Sequence, residues 1–138
     1  SEIAGHAARH ISNADIATLL ALQDEIEAGG GDVSLENTTR IGPLNREFHR
    51  VLAEASHNER LVSMLASAIE VPIVQQTFRR YTSQQLARSF GHHRELIDAL
   101  SVRDSAWAKS VMASHIHSAK HSLLGDTQHA LTPHTNTD

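Results

Sequence analysis

The chain has 138 residues and 40% of them are hydrophobic, which is enough for one domain with a proper core. It has no cysteine, which excludes disulfides, thiolate catalysis and cysteine-ligated zinc, so any bound metal must use nitrogen and oxygen ligands. Its formal charge is −4 and its 12 basic residues are scattered, which argues against a nucleic-acid surface. Because no long apolar segment or signal peptide is evident, we expect a cytoplasmic protein.

Apolar residues recur at spacings of three and four almost throughout, which predicts an all-α bundle of about six to seven helices. In chain order, the first predicted elements are a helix over 2–11, a helix from Ser12 or Asn13 to 28, and a turn over 34–40. A helix opened by Pro43 follows, and then a helix that is capped by Asn58 and broken or kinked by Pro72. The last elements are a segment with Val74, Phe78 and Tyr81, a helix capped by Ser83 and reaching Leu100, and a helix from Asp104 to about Leu124.

Two glycine signals set further boundaries in this scheme. The run 29–31 ends the second helix, and Gly125 ends the last one. The polar residues that follow predict a disordered tail over 126–138, which leaves one domain over 1–125.

Three histidines on three different predicted helices point inward. His49, His93 and His115 each align with apolar neighbours three and four positions away, which is the pattern of a core-facing residue. Asn45 lies four residues before His49 and therefore shares its helix face. Buried polar side chains need partners, and a shared metal ion would supply one to all four.

Other histidines are expected to face solvent. His92 is rotated by about 100° from His93 and aligns with Glu95 instead. Two further pairs have the i,i+4 spacing of metal ligands but lie outside any apolar stripe, and we interpret them as solvated: His6 with His10, and His117 with His121. For the inward trio, spacing alone leaves two interpretations open, namely a shared metal or core histidines that satisfy one another.

The order of these motifs resembles the FCD effector domain of GntR-superfamily transcriptional regulators, of the FadR type. The resemblance covers residues from about 2 to 124. The motifs that carry it are Glu2-x4-Ala7-Ala8-Arg9, Asn45-Arg-Glu-Phe48-His49, Leu52-Ala53-Glu54-Ala55-Ser56-His57-Asn58, Ser89-x3-His93-Arg94-Glu95-Leu96-Ile97-Asp98-Ala99-Leu100, Asp104, and Met112-x2-His115-Ile116.

This resemblance implies an antiparallel helical bundle whose central cavity binds a divalent metal and a small organic effector, usually a carboxylate. The metal ligands that it implies are Asn45, His49, His93 and His115. Aspartate is common at the first of these positions, and an amide there removes one unit of ligand charge, which should weaken metal binding. Three imidazoles suit zinc, nickel or iron(II) and leave positions open for an effector. Ser89 and Arg9 are candidate effector-binding residues.

The resemblance further implies a ligand-sensing and dimerising domain without catalytic residues. In such regulators a winged helix-turn-helix precedes this domain, so we expect a fragment that acts as a homodimer and meets DNA only through that absent module. One alternative is a metal-dependent enzyme, although Glu54-x-x-His57 is the only spacing of its kind and no inward carboxylate offers a general base. Another alternative is a purely structural dimerisation module.

Overall fold

The structure is a computed structural model that describes residues 2–69 and 77–130. Within these ranges the chain forms six α-helices, two short 3-10 helices and no strand, which confirms the predicted all-α bundle. None of the described helices is long and apolar enough to span a membrane. The α-helices are α1 (Glu2–His10), α2 (Asn13–Ile26), α3 (Leu35–Ala55), α4 (Glu59–Ile69), α5 (Ser83–Ser101) and α6 (Ser105–Ala130), and the 3-10 helices are Glu27–Gly29 and Thr77–Arg80.

Polar side chains in front of the helices fix where the helices begin. The predicted caps Ser12, Asn58 and Asp104 each accept a hydrogen bond from the backbone N–H three residues later, at 3.0, 3.2 and 2.9 Å. Each bond satisfies one of the backbone donors that a helix start leaves unpaired. These three caps are therefore confirmed.

The prediction that Pro43 opens a helix is wrong. Helix α3 begins at Leu35, where the Ser34 hydroxyl accepts the N–H of Asn37 at 3.2 Å, and Pro43 lies in its interior. A proline inside a helix costs about 3 kcal/mol. The cap and the burial of Thr38 and Ile41 in the turns before the proline favour continuing the helix. The turn predicted over 34–40 is thus the start of α3.

Two other predicted boundaries also differ. Thr82, rather than Ser83, caps α5. Its hydroxyl accepts the backbone N–H of Gln85, and the Gln85 side chain accepts the backbone N–H of Thr82. This capping box needs Glu or Gln three residues after the cap, and Thr82 meets that requirement. Helix α6 continues past Gly125 to Ala130. A glycine disfavours a helix by about 1 kcal/mol relative to alanine without forbidding it.

Parts of the predicted scheme fall outside the described residues. Pro72 and Val74 lie there, as does 131–138 of the predicted tail, whereas 126–130 is helical. Phe78 and Tyr81 are buried and lie at or next to the second 3-10 helix, with ring centroids 5.3 Å apart. That segment therefore contributes to the core.

The core lies between helices that come from both halves of the chain. Helix α5 packs along α6 and against α2, and α1 packs against α3 and α6. The largest fully buried apolar side chains come from α2, α3 and α5: Leu19, Ile26, Ile41, Phe48, Leu52, Leu86, Leu96 and Leu100. This packing places α3, α5 and α6, which carry the inward histidines, around a common centre.

Candidate metal centre

Three histidines from three helices meet at the centre of the bundle. His49 of α3, His93 of α5 and His115 of α6 each offer one ring nitrogen, and these nitrogens lie within 4.8 Å of one another. His93 is buried, and the other two are partly buried. The group contains no carboxylate, so all of its donor atoms are imidazole nitrogens.

The rings contact one another closely. The centroid of the His93 ring lies 4.8 Å from that of His115 and 5.3 Å from that of His49, and His49 and His115 are 5.5 Å apart. His93 also stacks on Phe48, with 4.2 Å between the ring centroids and the ring planes inclined by only 7°. The aromatic neighbour on α3 therefore restricts the orientation of the imidazole.

Several polar atoms at this centre are buried without a hydrogen-bond partner among the described residues. They are His93 Nε2, His115 Nδ1, His92 Nδ1, Asn45 Oδ1 and Gln23 Nε2. Leaving such atoms unpaired in the interior costs about 1–3 kcal/mol each, so native proteins rarely do so without a reason. Lone pairs of imidazole nitrogen and amide oxygen are suitable ligands for a divalent cation. The donor set therefore fits a metal ion.

Burial keeps these histidines neutral near neutral pH. Burial lowers the pKa of His49 to about 4 and that of His115 to about 3. The pKa of His93 also falls well below its ordinary value, mainly through burial and additionally through the imidazoles of His115, His49 and His92. Neutral imidazole is the form that binds a metal, because the protonated ring has no free lone pair.

The family comparison identifies the class of domain. The FCD domain model matches residues 1–118, which is most of the chain. The chain belongs to the FCD domain family. FCD domains are the C-terminal domains of GntR-family regulators, so the chain is a regulatory, ligand-sensing domain of that type. The FadR type stays a prediction. Neither the comparison with curated proteins nor that with solved structures found a match.

The other predicted site residues of this FCD domain occupy different environments. Asn45 is partly buried, one turn before His49 on α3, and Ser89 is buried one turn before His93 on α5. Arg9 is exposed near the end of α1. Their roles as metal ligand or effector contacts stay predictions.

The histidine pairs expected to be solvated lie away from the cluster. His10, His117 and His121 are exposed, and His6 is partly buried. His10 meets His57 edge to face at 5.6 Å, beyond the end of α3. None of these residues belongs to the group of converging nitrogens.

His92 was expected to face solvent, and this prediction is wrong. Its ring meets that of His115 edge to face at 5.6 Å, and its Nδ1 is buried without a partner among the described residues. The rotation of about 100° from His93 places it at the flank of the core face. Helix α6 covers that flank in this FCD domain, which a single-helix pattern does not reveal.

Gln23 is a second residue of the centre that sequence reasoning missed. Its side chain is fully buried on α2, and its Oε1 lies 2.7 Å from Nδ1 of His93. Its spacing from Leu19 and Ile26 on the buried face of α2 is the signal that could have identified it. Because its partner lies 70 residues further along the chain, the contact itself was not predictable.

Proposed function

We propose that this FCD domain binds one divalent cation through Asn45, His49, His93 and His115, and that a small organic acid binds beside it. The observation that carries the proposal is the convergence of three neutral imidazoles. Two of their nitrogens, Nε2 of His93 and Nδ1 of His115, are buried and unpaired. Zinc, nickel and iron(II) all accept such nitrogen donors. The four ligands would leave part of an octahedral coordination shell open.

The charge of the site favours an anionic effector. The converging group contains no carboxylate. Asn45 would provide a neutral oxygen at a position where the family resemblance implies that aspartate is common. A bound divalent cation would therefore keep its full positive charge and supply a Lewis acid for a carboxylate oxygen. Ser89 and His92 lie next to the ligands, and Nδ1 of His92 is free to hydrogen-bond an effector.

Sensing follows from where the ligands lie. His49, His93 and His115 belong to α3, α5 and α6, so an effector held among them contacts three helices at once. A ligand that prefers one packing of these helices shifts the domain towards it. We propose that this shift is passed to a homodimer in the cytoplasm, and to DNA through a winged helix-turn-helix module outside this chain.

Two other functions are less well supported by the site. A hydrolase would need a general base beside the cluster, and a di-iron oxygenase would need paired Glu-x-x-His motifs. Glu54 and His57, the only Glu-x-x-His spacing of the sequence, are exposed and line an open surface depression away from the cluster. In a purely structural module the histidines would satisfy one another, whereas two of their nitrogens are unpaired. Turnover of a carboxylate by metal-loaded protein would support an enzyme instead.

A thermal-shift screen of small carboxylates, with and without added zinc or nickel, tests the proposal. Metal should raise the melting temperature, and at least one carboxylate should raise it further only when metal is present, because ligands of the folded state stabilise it. The His93→Ala, His115→Ala double variant should lose both effects. Carboxylate stabilisation that is the same with chelator and in this variant would contradict the proposal.

A further inference from the structure

The carboxamide of Gln23 contacts one of the two ring nitrogens of His93 and leaves the other unpaired. Oε1 of Gln23 lies 2.7 Å from His93 Nδ1, and both side chains are almost completely buried. The other ring nitrogen, Nε2, is buried and has no partner among the described residues. His93 therefore has one nitrogen in a hydrogen bond and the other available to a ligand.

The direction of this hydrogen bond decides which nitrogen of His93 carries the proton. A carbonyl oxygen only accepts, so with Oε1 facing the ring, Nδ1 must carry the hydrogen and donate it. The lone pair then lies on Nε2. In the reversed amide, the Gln23 N–H would donate to Nδ1, the proton would lie on Nε2, and His93 could not ligate a cation there.

The packing between α2 and α5 keeps these two side chains in register. Arg94, next to His93, bonds to Asp24 at 2.8 Å and to Glu27, so charged pairs flank the Gln23–His93 contact. Phe48 stacks on the His93 ring, with 4.2 Å between the ring centroids. The imidazole is thus held by its plane and by its Nδ1.

We propose that Gln23 is a positioning residue that selects the His93 tautomer able to bind a divalent cation. The inference rests on the proposed metal function and assigns part of it to α2, which contributes no ligand. A partner of this kind typically changes metal affinity by about 10–100-fold. A neutral amide, unlike a carboxylate, orients the ligand without adding negative charge that would repel an anionic effector.

Zinc affinity of the full chain, measured by competition with a chromophoric chelator, tests this role. Gln23→Met has a similar volume but accepts no strong hydrogen bond, and it should weaken zinc binding about 10–100-fold. Gln23→Glu still accepts from Nδ1 and should bind zinc at least as tightly as the wild type. Leu19→Met, one turn earlier on the same buried face, is the matched control and should stay within about twofold.

Nitrogen chemical shifts of the His93 ring, recorded on metal-free protein near pH 7, provide a readout that needs no metal. The wild type should show the Nδ1-protonated tautomer, and Gln23→Met should lose that preference. Wild-type affinity in Gln23→Met, or an Nε2-protonated His93 in the wild type, would overturn the inference. A wild type that binds no zinc would instead overturn the proposed function. If Gln23→Met does not fold, the zinc affinity of Gln23→Glu and the His93 tautomer of the wild type still test the role of Gln23.

Discussion

The ring of His93 lies flat on that of Phe48, with 4.2 Å between centroids and 7° between planes. Phe48 is fully buried, and it immediately precedes His49 in the chain. One short stretch of α3 therefore provides both a cluster histidine and the surface on which a second histidine packs. The apolar core and the candidate metal centre share this contact. A substitution in the core at this point should therefore change metal affinity as well as stability.

Replacing Phe48 by leucine should lower both stability and metal affinity. The loss of ring volume and stacking should reduce the free energy of unfolding by about 1–3 kcal/mol. Because His93 would then be held less firmly, zinc affinity should fall as well. Denaturant unfolding and chelator competition measure the two effects. The control Leu86→Val changes a buried residue that contributes no ring to the cluster, and it should reduce stability without a comparable loss of zinc affinity.

Replacing Asn45 by aspartate should strengthen metal binding. The carboxylate restores one unit of negative charge to the ligand set, and we expect zinc affinity to rise on the order of 10-fold. The same charge, partly buried and without a cation, should lower the melting temperature of the metal-free protein. Titration and melting with and without zinc measure both effects.

Asn13→Asp provides the control for charge alone, because Asn13 is exposed at the start of α2. It should leave zinc affinity unchanged. If Asn45→Asp also left zinc affinity unchanged, Asn45 would not be a ligand.

Removing His92 should affect the effector more than the metal. Its ring touches His115, but His92 is not in the group of nitrogens that lie within 4.8 Å of one another. His92→Ala should therefore still bind one zinc ion, whereas any carboxylate found in the thermal-shift screen should stabilise this variant less than the wild type. Loss of zinc from His92→Ala would show that the site uses four imidazoles.

The metal-free domain should lose stability on acidification. The pKa of His49 is lowered to about 4 and that of His115 to about 3, whereas both should titrate near 6.5 once unfolded. Below about pH 6.5 the unfolded chain therefore binds more protons than the folded one. The stabilisation is complete above that pH and declines towards pH 4, by up to about 1.4 kcal/mol per pH unit for each histidine.

Denaturant unfolding between pH 7.5 and 5, in the presence of chelator, measures this dependence. His115→Ala should make it shallower, and His117→Ala, which alters an exposed side chain of the same helix, should not. A free energy of unfolding that stays constant over this range would contradict the burial of neutral histidines.

The local chemistry of the chain predicted much of the fold. The caps at Ser12, Asn58 and Asp104 were predictable because Ser, Asn and Asp are typical cap residues and the interaction is local. Each of them accepts a hydrogen bond from a backbone donor only three residues away. Pro43 was misjudged because tertiary packing of α3 outweighs the local preference of proline for a first turn. Local signals thus located helices better than they located their ends.

The same distinction applies to the centre. The apolar neighbours of His49, His93 and His115 on their own helices predicted that these side chains point inward. The structure brings the three residues together. Gln23 and His92 were missed because their contacts are made across helix pairs, α2 with α5 and α5 with α6. Periodicity describes one helix at a time and does not give the partner.

The metal content of the purified protein tests the central claim most directly. After loading with zinc and removal of excess metal, elemental analysis should find one equivalent in the wild type and in the His117→Ala, His121→Ala control. The His93→Ala, His115→Ala variant should retain none while keeping its helical circular dichroism. Zinc retained equally by this variant, or absent from the wild type, would contradict a metal centre formed by the converging histidines.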